Sequence, residues 1–357
     1  MSDRLQRAQA AAEKLVAEQV VPGLEVLVQE GDQAPRGFCL GADASGKQIT
    51  PDTLFPVASL SKMATALLVL RLAAEHDLAL DDPLGLYLPE AQAAGAAVQP
   101  PVTIRALLCH TGGMPDELSD ETAPYTPALS WAVIADASLR TPPILPAGTR
   151  LVYSNPGYAL LGVAVERLTG KPFAQALYEW VLAPLGIEAY LGDEPPRLPA
   201  VIAGDLGRHA GTELEPFNSR FWRSLAMPYG SLVTTAYGAL RLARTFLGIT
   251  PGFLPDALLA EARSDQTGGL PGSMAGMFAW EQAPWGLGVE LRGVKNPHAI
   301  APQASPDSFG HLGSSGASAW VDPAHDVAWV MLGARAFSEW WQRMPEVSAA
   351  ILETVDL

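Results

Sequence analysis

A serine and a lysine stand three residues apart at the start of an apolar, alanine-rich segment, VASLSKMATALLVLRLAAEHD, which begins at Val57. Residues at i and i+3 share one face of a helix, so Ser59 and Lys62 would be neighbours there. A neutral lysine amine beside a hydroxyl can accept its proton and activate it as a nucleophile. Burial favours that neutral form, because it lowers the pKa of a lysine. The spacing therefore predicts a serine nucleophile with a lysine base.

A structural interpretation of the same residues stays open at this point. Ser59 could cap the helix, and Lys62 could extend its amine into water. Two observations favour chemistry at Ser59: among the lysines of the chain, Lys62 alone has a serine three residues before it, and the rival hydroxyl of Ser61 lies on another face of the helix. The segments that follow then decide between the two interpretations.

Two later segments carry side chains that such a site needs. RLVYSNPGYALLG places Tyr153 and Asn155 in a turn before a helix, where a phenol can relay protons and an amide can hold a lysine and a substrate. FGHLGSSGASAWVDP places His311 and Gly313 at the start of a strand. A glycine there would let a substrate lie close, and the N–H of Ser314 could face an oxyanion. Taken singly, both segments also fit an ordinary turn or strand entry.

The elements that must position these residues divide the chain into β-rich ends and a helical middle. LEVLVQEG and GFCLGA predict an early hairpin, and SFGHLG, ASAWVDP and VAWVMLGA predict strands near the other end. Between them, prolines separate short helical patterns. We expect an α/β (α+β) fold in which residues 1–82 and 225–357 form one antiparallel sheet flanked by helices. Residues 83–224 would form an inserted all-helical domain, with the site in the cleft between the two parts.

In this order the motifs resemble the serine β-lactamase and penicillin-binding-protein-like superfamily, most of all its class C β-lactamase branch. That branch also contains esterases, D-amino-acid peptidases and acyltransferases. The resemblance extends over most of the chain and rests on PDTLFPVASLSK, VTIRALLCHTGGMPD, PAGTRLVYSNPGYALLG and GHLGSSGASAWVDP. It implies a β-lactamase/transpeptidase-like fold and a reaction that passes through an acyl-enzyme.

The resemblance also implies a role for each site residue. Ser59 becomes the nucleophile, Lys62 its proton acceptor and Tyr153 the general acid/base. The remaining positions bind substrate: Asn155 as a ligand of substrate and lysine, His311 and Gly313 as the far wall, and the backbone N–H groups of Ser59 and Ser314 as the oxyanion hole.

The chain departs from the β-lactamases where they have Lys-Thr-Gly, because it has His311-Leu312-Gly313. A histidine, mostly neutral at pH 7, is a poorer clamp for a substrate carboxylate than a lysine. We therefore expect a serine hydrolase of small carboxylic esters. Alternatives are a D-amino-acid peptide or amide hydrolase, a weak β-lactamase, an acyltransferase, and a non-catalytic binding module of the same fold. Phe221, Trp222 and Tyr229 could wall an apolar acyl pocket or belong to the core.

Composition excludes several other classes of function. The 357-residue chain has a net charge of −15 and no basic run, so neither nucleic acid nor an anionic membrane is an expected partner. Its histidines show no metal-ligand spacing, and no nucleotide-binding motif occurs, so no metal or cofactor is expected. Cys39 and Cys109 read as free thiols, and the charged N-terminus predicts an amphipathic helix instead of a signal peptide. These features indicate a cytoplasmic enzyme for a small molecule, with its oligomeric state left open.

Overall fold

Alternating apolar residues near both ends of the chain form the strands of the main sheet. The computed structural model describes residues 3–75, 77–95, 99–274 and 276–353. The strands of this described part are β1 (Gly23–Glu30), β2 (Arg36–Gly41), β3 (Phe55–Pro56), β4 (Leu151–Val152), β5 (Ala189–Tyr190), β6 (Val233–Thr234), β7 (Gly272–Met274), β8 (Phe278–Trp280), β9 (Glu290–Leu291), β10 (Phe309–Gly313), β11 (Ala317–Asp322) and β12 (Val327–Gly333).

Helices cover the sheet and form most of the middle of the chain. Their bounds are α1 (Asp3–Ala17), α2 (Ser61–Ala74), α3 (Pro89–Ala94), α4 (Ile104–Leu108), α5 (Trp131–Arg140), α6 (Asn155–Thr169), α7 (Phe173–Leu177), α8 (Arg220–Ser224), α9 (Ala236–Thr245), α10 (Asp256–Ala262) and α11 (Met344–Leu352). A π-helical turn at Tyr178–Leu182 continues α7. In the part of the chain that the structure describes, no helix combines the length and the apolar character needed to cross a bilayer.

The main sheet joins the two ends of the chain. Its six strands follow the order β2–β1–β12–β11–β10–β9, and all neighbours are antiparallel. β1 comes from the first segment and pairs along its length with β12, so that Leu24 lies opposite Gly333. The prediction of an antiparallel sheet built from both chain ends is therefore confirmed. The division of the chain at residues 82 and 224 stays a prediction.

Both faces of the sheet are buried, which explains why β10, β11 and β12 are apolar without a polar side. Val330 and Leu332 of β12 pack in the same cluster as α2 and α9. The alternate residues Trp329 and Met331 pack with α1 and α11 on the opposite face. The amphipathic N-terminal helix that we expected is α1, and it buries a stripe of leucines and alanines against the sheet.

The middle of the chain differs from the all-helical insert that we expected in two short strands. β4 pairs in parallel with β7, and β5 pairs with β6, which in turn pairs with β3. Strands of two residues are too short to show an alternating pattern, so the sequence carries no signal for them. β4 matters for function, because Tyr153 follows it directly.

Candidate active site

Ser59 lies in a 3₁₀ turn at Ala58–Leu60, directly before α2. It does not cap that helix, because Leu60 occupies the N-cap position. The backbone N–H of Val57 donates to the carbonyl of Leu232 at 3.0 Å, and Ala58 has a φ of +44°. A non-glycine residue in this left-handed region is strained, and such strain is concentrated at functional sites. Ser59 is half-buried and lines a cavity.

Lys62 lies in the first turn of α2 and has no exposed surface, so it does not extend into water. Its Nζ lies 3.4 Å from Ser59 Oγ and donates to Asn155 Oδ1 at 2.6 Å. A third contact of 3.2 Å runs from Nζ to the carbonyl oxygen of Tyr229. Burial lowers the pKa of Lys62 to about 7, although the carboxylate of Glu117 acts in the opposite direction. Lys62 is therefore a base that is largely neutral at physiological pH.

Tyr153 faces the same amine from the other side. Its backbone N–H donates to the carbonyl of Ser273 in β7 at 3.1 Å, which extends the β4–β7 pairing. The Lys62 Nζ lies 4.5 Å from the centroid of its ring. Burial raises the pKa of Tyr153 strongly, and a hydrogen bond with Ser59 opposes the shift only in part. The phenol is therefore neutral and can both accept and give a proton.

Asn155 is the first residue of α6, and its backbone is held from several directions. Ser154 caps the helix by accepting from the N–H of Gly157 at 2.9 Å, and its hydroxyl donates to the carbonyl of Pro115 at 2.6 Å. The backbone N–H of Asn155 donates to the carbonyl of Asp116 at 2.9 Å. The amide side chain thus starts from a fixed point next to Lys62.

β10 brings the remaining predicted residues to Ser59. A Cβ added to Gly313 would lie 2.4 Å from the carbonyl oxygen of Val57, so only glycine lets the strand approach the nucleophile turn this closely. We had expected this glycine to make room for substrate, whereas its contact is with the protein's own backbone. Ser314 follows the strand and lines the same cavity as Ser59. The structure therefore brings together all seven residues that the sequence singled out.

His311 is buried and neutral. Burial and the nearby Lys62 lower its pKa to about 4. Its Nδ1 lies 2.7 Å from the carbonyl oxygen of Leu312, and because a carbonyl only accepts, Nδ1 carries the proton. Nε2 is then an acceptor, and it has no hydrogen-bond partner among the residues that the structure describes. His311 thus presents no positive charge to a substrate.

A second layer of aromatic rings supports these side chains. The His110 ring lies 4.5 Å from the Tyr153 ring, and its Nδ1 accepts from the N–H of Ser154 at 3.0 Å. Trp285 packs against His110 at 5.1 Å, Tyr153 at 5.8 Å and His311 at 5.7 Å. His110 lies two residues after the end of α4. The sequence did not indicate that it positions the loop of Tyr153.

A fully buried charge cluster stands behind this layer and was not anticipated. Lys295 Nζ donates to Glu290 Oε1 at 2.8 Å, and His298 Nε2 lies 3.1 Å from the same oxygen. Burial opposes ionisation of Glu290, but Lys295 and His298 outweigh it and lower its pKa. The Lys295 amine also lies 4.8 Å from the centroid of the Trp285 ring, a cation–π distance. Among the described residues, no group of His, Cys, Asp and Glu side chains has the arrangement of a metal site.

The cavity in front of Ser59 has a volume of about 490 Å³. Most of its wall is apolar, and its described charged side chains are both acidic. The acidic residues are Glu117 and Asp120. The apolar part of the wall includes Leu118, Leu129, Ile134, Phe217, Trp222, Met227 and Tyr229. Of the two alternatives left open for them, a pocket wall or the core, Trp222 and Tyr229 do line the cavity, and Trp222 also belongs to a buried cluster. Phe221 instead stands one layer further out and packs edge-on against Tyr125 at 5.5 Å.

Comparison with known proteins identifies the family. The Beta-lactamase family model matches residues 8–347, which is nearly the whole chain. The chain belongs to the beta-lactamase family. The chain is a serine hydrolase of this family, as predicted.

Relatives within the family include several kinds of enzyme. Esterase EstB of Burkholderia gladioli is 30% identical over 326 residues, which cover 82% of this chain and 80% of the esterase. Penicillin-binding protein 4 of Amycolatopsis lactamdurans is 34% identical over 245 residues, and the match covers 66% of this chain but 63% of that protein.

Solved structures confirm the β-lactamase/transpeptidase-like fold. EstCE1, a hydrolase with promiscuous acyltransferase activity, superposes with a TM-score of 0.78 at 23% identity, covering 98% of this chain and 99% of its own. The D-amino acid amidase of Ochrobactrum anthropi SV3 gives a TM-score of 0.75 at 22% identity, with coverage of 98% and 99%. At these identities the likeness describes the fold alone.

Proposed function

We propose that this enzyme hydrolyses small carboxylic esters with an apolar acyl group through an acyl-Ser59 intermediate. The observation that carries the proposal is the cavity next to Ser59, whose walls are apolar and whose described charged residues are acidic. An apolar acyl chain gains roughly 0.8 kcal/mol for each methylene that it buries there. The 490 Å³ volume accommodates a short or medium chain.

The side chains around Ser59 can carry out each step of an acyl transfer. Ser59 Oγ forms a bond to the carbonyl carbon while its proton passes to the neutral amine of Lys62. The electron pair of the carbonyl moves to its oxygen, which faces the N–H groups of Ser59 and Ser314. When the carbonyl re-forms, the ester C–O bond breaks, and the leaving oxygen takes the proton through Tyr153. A water molecule then attacks the acyl-enzyme in the same way, and Ser59 recovers its proton when the acid is released.

The charges of the site disfavour anionic β-lactams. His311 is neutral and buried and is not among the residues that line the cavity, so it offers no positive charge to a substrate carboxylate. Two arginines could have replaced the missing lysine, but both are paired with Glu194: Arg223 at 3.2 Å and Arg220 at 3.3 Å. Neither arginine lines the cavity. A neutral ester meets none of these penalties.

Amides or peptides that carry an ammonium group, such as those of D-amino acids, are the second candidate. Glu117 and Asp120 at the cavity could attract such a group, although Asp120 already pairs with Arg208 at 3.0 Å. A D-amino acid amidase shares this fold. An alcohol that takes the place of water would turn the same acyl-enzyme into an acyltransferase.

A panel of substrates tests the proposal. It contains p-nitrophenyl esters of graded chain length, D-alanyl p-nitroanilide and a chromogenic cephalosporin, with Ser59→Ala as the control. We expect the highest kcat/KM for one of the esters, and a higher value for the anilide or the cephalosporin contradicts the proposal. Intact mass after fluorophosphonate treatment should show one adduct in the wild type and none in Ser59→Ala. A folded wild type without an adduct would instead favour the non-catalytic binding module.

We also propose the cytoplasm as the location of this enzyme, since Cys39 and Cys109 are both unpaired thiols.

A further inference from the structure

Glu117 is a residue that the sequence did not single out, and its carboxylate contacts the side chain of Asn155. It lies in the segment between α4 and α5 and lines the cavity in front of Ser59. Its Oε1 accepts a hydrogen bond from Asn155 Nδ2. The carboxylate is thus connected through one amide to Lys62, whose Nζ donates to Asn155 Oδ1.

A carboxylate next to an amide determines which way the amide points. Desolvation raises the pKa of the Glu117 carboxyl, whereas Lys62 and the hydrogen bond from Asn155 oppose that shift. In its ionised form the carboxylate only accepts hydrogen bonds, so the NH₂ end of Asn155 must face Glu117. The oxygen end then faces Lys62, and it too only accepts. If the amide were reversed, its NH₂ group would point at the amine and would draw the lone pair of a neutral lysine toward itself.

The direction of that lone pair decides whether Lys62 can serve as a base. A neutral amine has two N–H donors and one lone pair. Two acceptors surround Nζ, Asn155 Oδ1 at 2.6 Å and the carbonyl oxygen of Tyr229 at 3.2 Å, and they take the two donors. Ser59 Oγ, at 3.4 Å, is the third hydrogen-bond contact of this amine in the described part of the chain. The lone pair is therefore left for the serine proton.

We propose that Glu117 is a positioning residue for the reaction at Ser59: it holds the Asn155 amide in one orientation and thereby directs the lone pair of Lys62 at the serine hydroxyl. This inference rests on the proposed acyl-Ser59 mechanism. The Glu117 carboxylate thus acts on Lys62, the proton acceptor, and does not bind substrate.

The charge of Glu117 provides a second way to observe the contact. The groups that face Lys62 are the phenols of Tyr153, Tyr158 and Tyr229 and the imidazoles of His110 and His311. Burial keeps these phenols and imidazoles neutral. Glu117 is the acidic group that raises the pKa of Lys62 against the effect of burial. Its removal should therefore move the pKa of the base further down.

The test compares Glu117→Met, which removes the acceptor of the Asn155 NH₂ group together with the charge, with Glu121→Met, which makes the same chemical change four residues further along. Both glutamates are exposed, but Glu121 does not line the cavity. The readouts are kcat and KM for a p-nitrophenyl ester and the rate of fluorophosphonate labelling of Ser59, each measured from about pH 5.5 to 9. Thermal unfolding of each variant reports on its folding.

For Glu117→Met we expect kcat and the labelling rate to fall about tenfold, as for a misdirected catalytic group. KM should stay within about twofold, and the acid limb of both profiles should move to lower pH. Glu121→Met should reproduce the wild type. In an Asn155→Ala background, Glu117→Met should cause little further loss, because it acts through that amide.

Several results overturn the inference. A Glu117→Met variant with wild-type kcat and an unmoved acid limb excludes positioning, and a change in KM alone identifies Glu117 as a substrate ligand. Full additivity with Asn155→Ala excludes an action through the amide. Labelling keeps this test apart from that of the proposed function: a wild type that is labelled but hydrolyses no ester contradicts the ester proposal alone. A wild type that is neither labelled nor active overturns both.

Discussion

The hydroxyl of Ser61 accepts a hydrogen bond of 3.1 Å from the backbone N–H of Leu232. It also donates to the carbonyl of Ala58 at 2.6 Å. Both contacts are buried, so this hydroxyl joins the start of α2 to the segment that precedes β6. Ser59, two residues earlier, has its hydroxyl at the cavity instead. The two serines therefore have separate tasks.

Substitution of each serine should separate these tasks. Ser59→Ala should abolish turnover and leave the fold intact. Ser61→Ala should retain a labelled nucleophile but lower the free energy of unfolding by about 1–3 kcal/mol, because it leaves the buried N–H of Leu232 unpaired. Ester hydrolysis and urea unfolding of both variants measure the difference. Loss of activity in Ser61→Ala together with retention in Ser59→Ala contradicts the assignment.

Lys62 and Tyr153 should behave as one proton-transfer unit, since the amine lies 4.5 Å from the ring. Lys62→Met and Tyr153→Phe should each lower kcat by at least about 10²-fold, the usual scale for general acid–base groups. The double variant should lose much less than the product of the two single losses. Steady-state kinetics of the three variants provide the comparison, and a fully multiplicative loss indicates independent roles.

The rate of ester hydrolysis should rise with pH through about 7. The active form of Lys62 is the neutral amine, which is populated above its pKa, and burial lowers that pKa to about 7. Below this value kcat/KM should fall about tenfold for each pH unit, since protonation removes the base. A profile from pH 5 to 9 with a neutral p-nitrophenyl ester reports this limb. A flat profile between pH 6 and 8 is inconsistent with Lys62 as the base.

His311→Lys should raise the activity toward a cephalosporin more than the activity toward an ester. A lysine there could form a charge-assisted hydrogen bond with the substrate carboxylate, worth roughly 1.5–3 kcal/mol. That corresponds to about a 10- to 150-fold gain in kcat/KM. A p-nitrophenyl butyrate assay on the same preparation serves as the control, because that ester has no carboxylate. If the wild type already prefers the cephalosporin, our interpretation of this position is wrong.

The buried Glu290–Lys295 pair should matter through its balance of charge. Lys295→Met removes the cation of the pair and leaves the buried Glu290 with the His298 contact, so it should lower the free energy of unfolding by roughly 3–5 kcal/mol. Glu290→Gln combined with Lys295→Met removes both charges and should recover most of that loss. Urea unfolding at pH 7 compares the two, and an equal loss in both variants would show that the pair contributes by its packing alone.

Much of the candidate site around Ser59 could be predicted from local patterns. The spacing of Ser59 and Lys62 indicates adjacency because one helical turn is set by the backbone, whatever the rest of the chain does. Short apolar segments between turn residues indicated β1, β10, β11 and β12, because a strand is also a local structure. The order of the motifs then indicated Tyr153, Asn155 and His311 as partners of the pair.

Only the tertiary structure decided how these groups are tuned. Glu117, Tyr229 and Trp285 reach the site from segments far apart in the chain, and no local pattern records which loops meet. The lowered pKa of Lys62 and the neutral state of His311 result mainly from burial, which sums over atoms contributed by the whole fold. The sequence thus determined which reactive groups are present and which are adjacent along the backbone. Packing determined their protonation, their orientation and the acidic, apolar cavity in front of Ser59.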